Sequence, residues 1–236
     1  MVESNAVPGF LPSRQGLHFA NRFPPGPTLR FGPIDPRWVG LGDASAGLCG
    51  GMAWFVRERF DAGLPVPPDT GPPANGSPLF RALVRRQVLS LDWLRAPLAF
   101  WWLGAMGAGR AARRTREVEW PRIRADIDAG RLAMVGLVRH AGLNPFHLTQ
   151  SHQVLAYAYE TDGTAITIRI YDPNLPDRDD VVVSEERFLR LPSGSARPRP
   201  PPGAWPDTRR HACSSATSHR VRRPPGRHVA DAHHRT

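Results

Sequence analysis

The chain has 236 residues, with 31 basic and 21 acidic side chains and a formal net charge of +10. Its 41% hydrophobic content is enough for a domain core. Two cysteines exclude a disulfide framework, and the longest apolar run, residues 98–108, is shorter than the ~20 residues of a bilayer span. With no signal peptide evident, we expect a cytoplasmic protein.

The positive charge is unevenly distributed along the chain. Residues 1–192 contain 22 arginines against 19 acidic residues, a net charge of +3, whereas residues 193–236 carry +7. The arginines of the first segment are accompanied by no nucleic-acid-binding motif, so no specific nucleic-acid partner is predicted. Electrostatic binding of nucleic acid by the tail is the least favoured of the functions considered.

Composition divides the chain into three segments. Residues 1–37 are rich in proline and glycine and are predicted to form an extended N-terminal arm. Residues 38–191 are predicted to form one domain. The tail, residues 192–236, has almost no large aliphatic side chains and is predicted to be disordered. Its arginine-rich, lysine-free composition equally fits a GC-rich gene read in a shifted frame, and both interpretations stay open.

Helices are predicted in the first part of the domain from apolar residues spaced three and four apart. One begins near Gly51 and ends at Gly63, and others cover residues 79–93, 97–107 and 121–129. In the second helix the arginines are expected to face solvent; these are Arg81, Arg85 and Arg86. Trp101 and Trp102, in the third helix, are expected to pack in the core.

Strands are predicted in the second part of the domain. Short segments of β-branched and aromatic residues separated by turns cover residues 132–138, 153–159, 165–171 and 181–183. A helical part followed by a strand-rich part predicts an α+β fold.

Cys49 is the candidate nucleophile. It lies in the sequence GLCGGM, directly at the start of the first amphipathic helix. Free backbone N–H groups and the positive end of the helix dipole favour the reactive thiolate there. The flanking glycines are expected to let a substrate backbone approach closely. The alternative is a small buried hydrophobic residue, which is common for free cysteine.

His152 and Asp172 are the candidate base and orienting group. His152 opens one predicted strand and Asp172 closes the next. An antiparallel hairpin brings the start of the first strand beside the end of the second, so the imidazole and the carboxylate become neighbours. Taken singly, each is an ordinary strand-edge or turn residue, but together with Cys49 they form the three parts of an activated-nucleophile site.

The segments GLCGGM, SHQVLAYAY and IYDPN resemble papain-like cysteine peptidases, most closely the bacterial C39-like branch. The resemblance covers roughly residues 38–190. It implies a papain-like fold, with a helix-start cysteine packed on a C-terminal antiparallel sheet, and a peptide or protein substrate. It also implies that Cys49 is the nucleophile, with its N–H in the oxyanion hole, that His152 is the base and that Asp172 orients the imidazole. Asn174 is the substitute orienting residue.

The sequence departs from the family pattern at one position. Active members carry a glutamine about six residues before the nucleophile, and Asp43 stands there in this chain. A carboxylate accepts hydrogen bonds and does not donate to an oxyanion, so Gln150 or Gln153 would have to replace the glutamine. Two functions therefore stay open: a thiol hydrolase acting on a peptide or amide, and a weak or inactive papain-like module that binds a peptide or protein partner.

A metal site is the remaining alternative for these side chains. His140, His147 and His152 could combine with Cys49, but their spacing matches no standard zinc pattern. We therefore expect neither a metal nor another cofactor. The sequence gives no indication of the oligomeric state.

Overall fold

The computed structural model describes residues 2–25, 47–90, 95–138, 152–184 and 188–191. These residues belong to one compact unit. The predicted tail lies outside the described residues, and so do four residues considered above: Asp43, His140, His147 and Gln150.

The described strands form one sheet in which every pairing is antiparallel. They are β1 (Glu3–Ala6), β2 (Ala133–Leu137), β3 (His152–Thr161), β4 (Ile166–Tyr171), β5 (Val182–Ser184) and β6 (Phe188–Arg190). The order is β5-β4-β3-β2-β6, and β1 also pairs with β3. Since β4 occupies one edge of β3, β2 and β1 share the other, β2 along its first half and β1 along its second.

The helices precede the main part of the sheet in the chain. They are α1 (Pro12–Gln15), α2 (Cys49–Asp61), α3 (Pro78–Ser90), α4 (Arg95–Ala105), α5 (Ala108–Arg114) and α6 (Trp120–Asp128). A π-helical turn, Thr115–Glu119, joins α5 to α6. A helical part and an antiparallel sheet confirm the predicted α+β class. No described helix is long and apolar enough to cross a membrane.

The N-terminal segment contributes to both the sheet and the core. Of the predicted arm, residues 2–25 are described, and they contain β1 and α1. This segment also buries five apolar side chains: Val7, Phe10, Leu17, Phe19 and Phe23. β1 gave no strand signal in the sequence, because all four of its residues are polar or small and exposed.

Arg86 does not face solvent as expected. It lies three residues after the buried Leu83, on the inner side of α3, and its exposed fraction is 5%. Its Nε and Nη2 donate to Glu58 Oε2 at 2.8 and 2.6 Å, and its guanidinium lies 5.1 Å from the centre of the Phe55 ring. The expectation was wrong because α2 supplies both a carboxylate and an aromatic face to a charged group on the inner side of its neighbour.

Trp102 is also placed differently from the expectation. Its exposed fraction is 46%, and the guanidinium of Arg114 on α5 lies 4.8 Å from its ring centre. The indole therefore covers the junction between α4 and α5 at the surface. Trp101 is half-buried.

Candidate active site

Helix α2 is held against its neighbours by two glycines that follow Cys49. A Cβ at Gly51 would overlap the backbone carbonyl of Leu83 in α3, and a Cβ at Gly50 would overlap the Gln153 carboxamide and lie 2.5 Å from Ser90 Oγ. The expectation that these glycines leave room for a substrate is wrong, because the protein's own atoms fill that space. The glycines instead allow the start of α2 to pack closely on β3 and α3.

Cys49 is the first residue of α2, with Leu48 at the N-cap. The first helical hydrogen bond runs from Met52 N–H to Leu48 O at 2.8 Å. The Gly51 amide donates to Gln87 Oε1 at 2.9 Å, whereas the Cys49 amide has no acceptor among the described residues. The Cys49 side chain is half-buried. This combination leaves a thiol and an N–H donor together at the positive end of the helix dipole.

His152 and Asp172 are brought together by the β3–β4 hairpin. His152 is the first residue of β3, and Asp172 directly follows β4. The register pairs Leu155 with Tyr171, so the start of β3 lies opposite the segment that leaves β4. His152 Nε2 and Asp172 Oδ1 are 2.6 Å apart, and both side chains are buried.

Asn174 lies in the same group of side chains. Its backbone N–H donates to Asp172 Oδ1 at 2.8 Å, and its Nδ2 lies 3.2 Å from His152 Nε2. The Asp172 carboxylate is therefore held by the turn that it begins, and both orienting residues predicted from the sequence lie on one side of the imidazole.

Cys49 lies close enough to the His152 imidazole to act on its pKa. Because Nε2 is occupied by Asp172, Nδ1 is the nitrogen that remains for the thiol. Burial by itself lowers the pKa of His152, but the hydrogen bonds and charges of Asp172 and Cys49 outweigh it and raise that pKa to about 9. At neutral pH the imidazole therefore carries a proton that it can give up.

Gln153 lies beside the start of α2. Its exposed fraction is 4%, and its Oε1 has no hydrogen-bond partner among the described residues. The carboxamide occupies the space beside Gly50, where a Cβ would overlap it. Of the two glutamines considered as replacements for the absent donor, Gln153 is thus close to the nucleophile's helix, while Gln150 and Asp43 lie outside the described residues.

In the described part of the chain, no group of three or more His, Cys, Asp or Glu side chains is arranged to hold a metal ion. His140 and His147, the other members of the alternative metal site, lie outside that part. The described contacts of the His152 imidazole are those with Cys49, Asp172 and Asn174.

Asn21 contacts both halves of the site, and sequence analysis did not single it out. Its Oδ1 accepts a hydrogen bond from Leu48 N–H at 2.5 Å, and its Nδ2 donates to Asn174 Oδ1 at 3.3 Å. Its own N–H donates to Pro173 O at 2.8 Å. Nothing in the sequence marks Asn21, because these partners are 27 and 153 residues away and no local motif surrounds it.

Comparison with known proteins adds no relative. Neither a protein-family model, nor a curated protein, nor a solved structure matches this chain.

Proposed function

We propose that the chain is a papain-like thiol hydrolase that cleaves a peptide or amide bond through a covalent intermediate on Cys49. The observation that carries the proposal is that the His152 imidazole lies 2.6 Å from Asp172 Oδ1 and interacts with Cys49, the first residue of a helix. A nucleophile, its base and the group that orients the base are the parts that this chemistry requires.

The first half of the reaction forms a thioester. Cys49 Sγ, paired as a thiolate with the His152 imidazolium, attacks the substrate carbonyl carbon. The oxygen that becomes negative faces the start of α2, where the Cys49 N–H donates to it. His152 then gives its proton to the leaving nitrogen, the C–N bond breaks, and an amine leaves while the acyl group stays on sulfur.

The second half of the reaction releases the acid. A water molecule loses a proton to the neutral His152 as its oxygen attacks the thioester carbon. The C–S bond breaks, and the thiolate–imidazolium pair is restored. Asp172 takes part in neither bond change; it holds the imidazole in one orientation and stabilises its charged form.

Thiol alkylation tests the proposal. In a Cys213→Ser background Cys49 is the single cysteine, so iodoacetamide incorporation reports on that residue. We expect stoichiometric labelling at pH 6.5 and a fall of about 10- to 100-fold in its rate in His152→Ala, because an unassisted thiol is only about 1% ionised at that pH. Thermal unfolding of both proteins verifies that the fold is retained.

A second measurement connects the thiol to hydrolysis. The chain is incubated with a degenerate peptide pool, and mass spectrometry detects cleaved products; cleavage is expected to disappear in Cys49→Ala. If the folded His152→Ala protein is labelled as fast as the parent and no peptide is cleaved, the chain is a non-catalytic module and the proposal is wrong.

A further inference from the structure

We propose that Asn21 is a positioning residue that fixes the start of α2 relative to the turn bearing Asp172 and Asn174. This inference rests on the proposed function, because the start of α2 supplies the thiol and the turn supplies the group that orients the imidazole. Asn21 touches none of the reacting atoms; it acts through Leu48 on one side and Asn174 on the other.

The N-terminal segment anchors the turn that follows β4 at two further points. Ser13 donates its N–H and its hydroxyl to the Asp179 carboxylate at 2.8 and 2.7 Å, and His18 Nδ1 lies 2.6 Å from Asp177 Oδ1. These contacts hold the turn, and Asn21 adds a hydrogen bond to the residue preceding Cys49. The carboxamide of Asn21 therefore connects two elements that are far apart in the chain.

The packing around this carboxamide is tight. Gly47 has a φ of +88°, and a Cβ at this position would lie 2.6 Å from Asn21 Nδ2. Glycine is needed there for both reasons, since a side chain would be strained at this φ and would displace the amide. The backbone entering α2 is thus shaped to receive Asn21.

The expected consequence concerns the contact between Cys49 and His152. Cys49 is held by the packing of α2 on α3 and on β3, the strand that His152 opens, whereas the turn that orients the imidazole is held by β4 and the N-terminal segment. A displacement of about 1 Å between reacting groups lowers turnover by as much as about 100-fold. The two side-chain hydrogen bonds of Asn21 fix the start of α2 relative to the turn that bears Asp172 and Asn174.

Asn21→Ala tests the inference, with Asn5→Ala as the matched control. Asn5 lies in the same N-terminal segment, and it too accepts from a backbone N–H and donates to a side-chain oxygen, that of Asp128. In the full chain carrying Cys213→Ser, we expect Asn21→Ala to slow iodoacetamide labelling of Cys49 at pH 6.5 by about tenfold or more. Asn5→Ala is expected to label like the parent.

The NMR titration of His152 distinguishes a positioning role of Asn21 from a general contribution to stability. In Asn21→Ala the pKa of His152 is expected to fall from about 9 towards the ordinary value of about 6.5, because contacts with Cys49 and Asp172 loosen. In Asn5→Ala it is expected to stay unchanged. Within the described part of the chain, the groups that contact this imidazole are Cys49, Asp172 and Asn174.

A second pair of variants perturbs the contact between Asn21 and the backbone entering α2 through Gly47. Gly47→Ala and Gly63→Ala both place a side chain at a positive φ, but a Cβ at Gly63 meets nothing within 4 Å. We expect both to lose stability through backbone strain and only Gly47→Ala to lose Cys49 reactivity. This pair keeps the inference testable if Asn21→Ala does not fold.

The possible outcomes separate the two proposals. If His152→Ala slows labelling but Asn21→Ala and Gly47→Ala leave both the labelling rate and the His152 titration unchanged, the positioning role is overturned and the proposed function stands. If labelling is independent of His152, the proposed function fails, and the titration alone then decides the role of Asn21: a shift in Asn21→Ala supports it, and no shift overturns it.

Discussion

At the scale of single residues, the site depends on a balance at His152. Burial opposes a charge on the imidazole, and the paired groups more than compensate for that penalty. The 2.6 Å contact with Asp172 is short, as expected for a hydrogen bond between charged partners. The protonated state of His152 therefore depends on its neighbours and changes when either of them is altered.

Replacing Asp172 by asparagine removes the charge while keeping the shape of the side chain. We expect Asp172→Asn to lower the pKa of His152 from about 9, since a neutral amide stabilises an imidazolium less than a carboxylate does. The NMR titration of His152, assigned with His152→Gln, measures the change. Asp162→Asn, an exposed turn residue, is the control; an unchanged titration in Asp172→Asn would contradict the proposed pairing.

The raised pKa of His152 also predicts how stability depends on pH. The folded chain holds this proton up to a pH of about 9, whereas the unfolded chain releases it near 6.5. The contribution of His152 to the free energy of unfolding is therefore fully present below pH 6.5 and is lost as the pH rises through about 9. Urea unfolding of the parent and of His152→Gln measures it; the difference between them should shrink from pH 6 to pH 9.5, and a difference that grows would refute the linkage.

At the scale of elements, the thiol is positioned by the packing of α2 on α3. Gly51 lies where a Cβ would meet the Leu83 backbone, and the Arg86–Glu58 ion pair closes the same interface. Backbone atoms cannot move aside as a flexible side chain can, so this contact fixes the separation of the two helices. The position of Cys49 at the start of α2 follows from that separation.

Gly51→Ala should therefore destabilise the fold. We expect a loss of about 1–3 kcal/mol in the free energy of unfolding, the usual effect of overfilling a packed interior. Gly109→Ala is the matched control, because a Cβ at this helical glycine meets nothing within 4 Å; it should change stability by no more than about 1 kcal/mol. Denaturant unfolding measures both, and equal effects would show that the close packing of α2 on α3 is not what Gly51 provides.

At the scale of the whole molecule, local sequence patterns predicted most of the helices and strands. Contacts between residues that are remote in the chain were largely not predicted. Apolar spacing and β-branched runs predicted α2–α4, α6 and the strands β2–β5, and the hairpin argument placed His152 beside Asp172 because it depends on neighbouring strands. The strands β1 and β6 were not predicted, since β1 is polar and exposed and β6, with the sequence FLR, lacks the β-branched residues that marked β5. Arg86 and Asn21 were not predicted either, because their partners lie on segments remote in the chain.

The tail provides a test at this scale. Every described core and site residue lies within residues 2–191, so a chain ending at residue 192 is expected to keep its melting temperature and its Cys49 reactivity. It loses the net charge of +7 carried by residues 193–236, and its retention on a heparin column should become weaker and less dependent on salt. Loss of the cooperative unfolding transition would contradict the proposed domain boundary.

Cys49 and His152 are proposed to act as one unit, and the pH profile of Cys49 alkylation is the measurement that separates this from an isolated thiol. In the Cys213→Ser protein, measured between pH 5 and pH 10, we expect alkylation already at pH 6 and a second change in its rate near pH 9, where His152 loses its proton. In His152→Ala only the single rise of an isolated thiol, near its usual pKa of about 8.5, is expected. A single rise near that pH in both proteins would show that His152 does not act on the thiol.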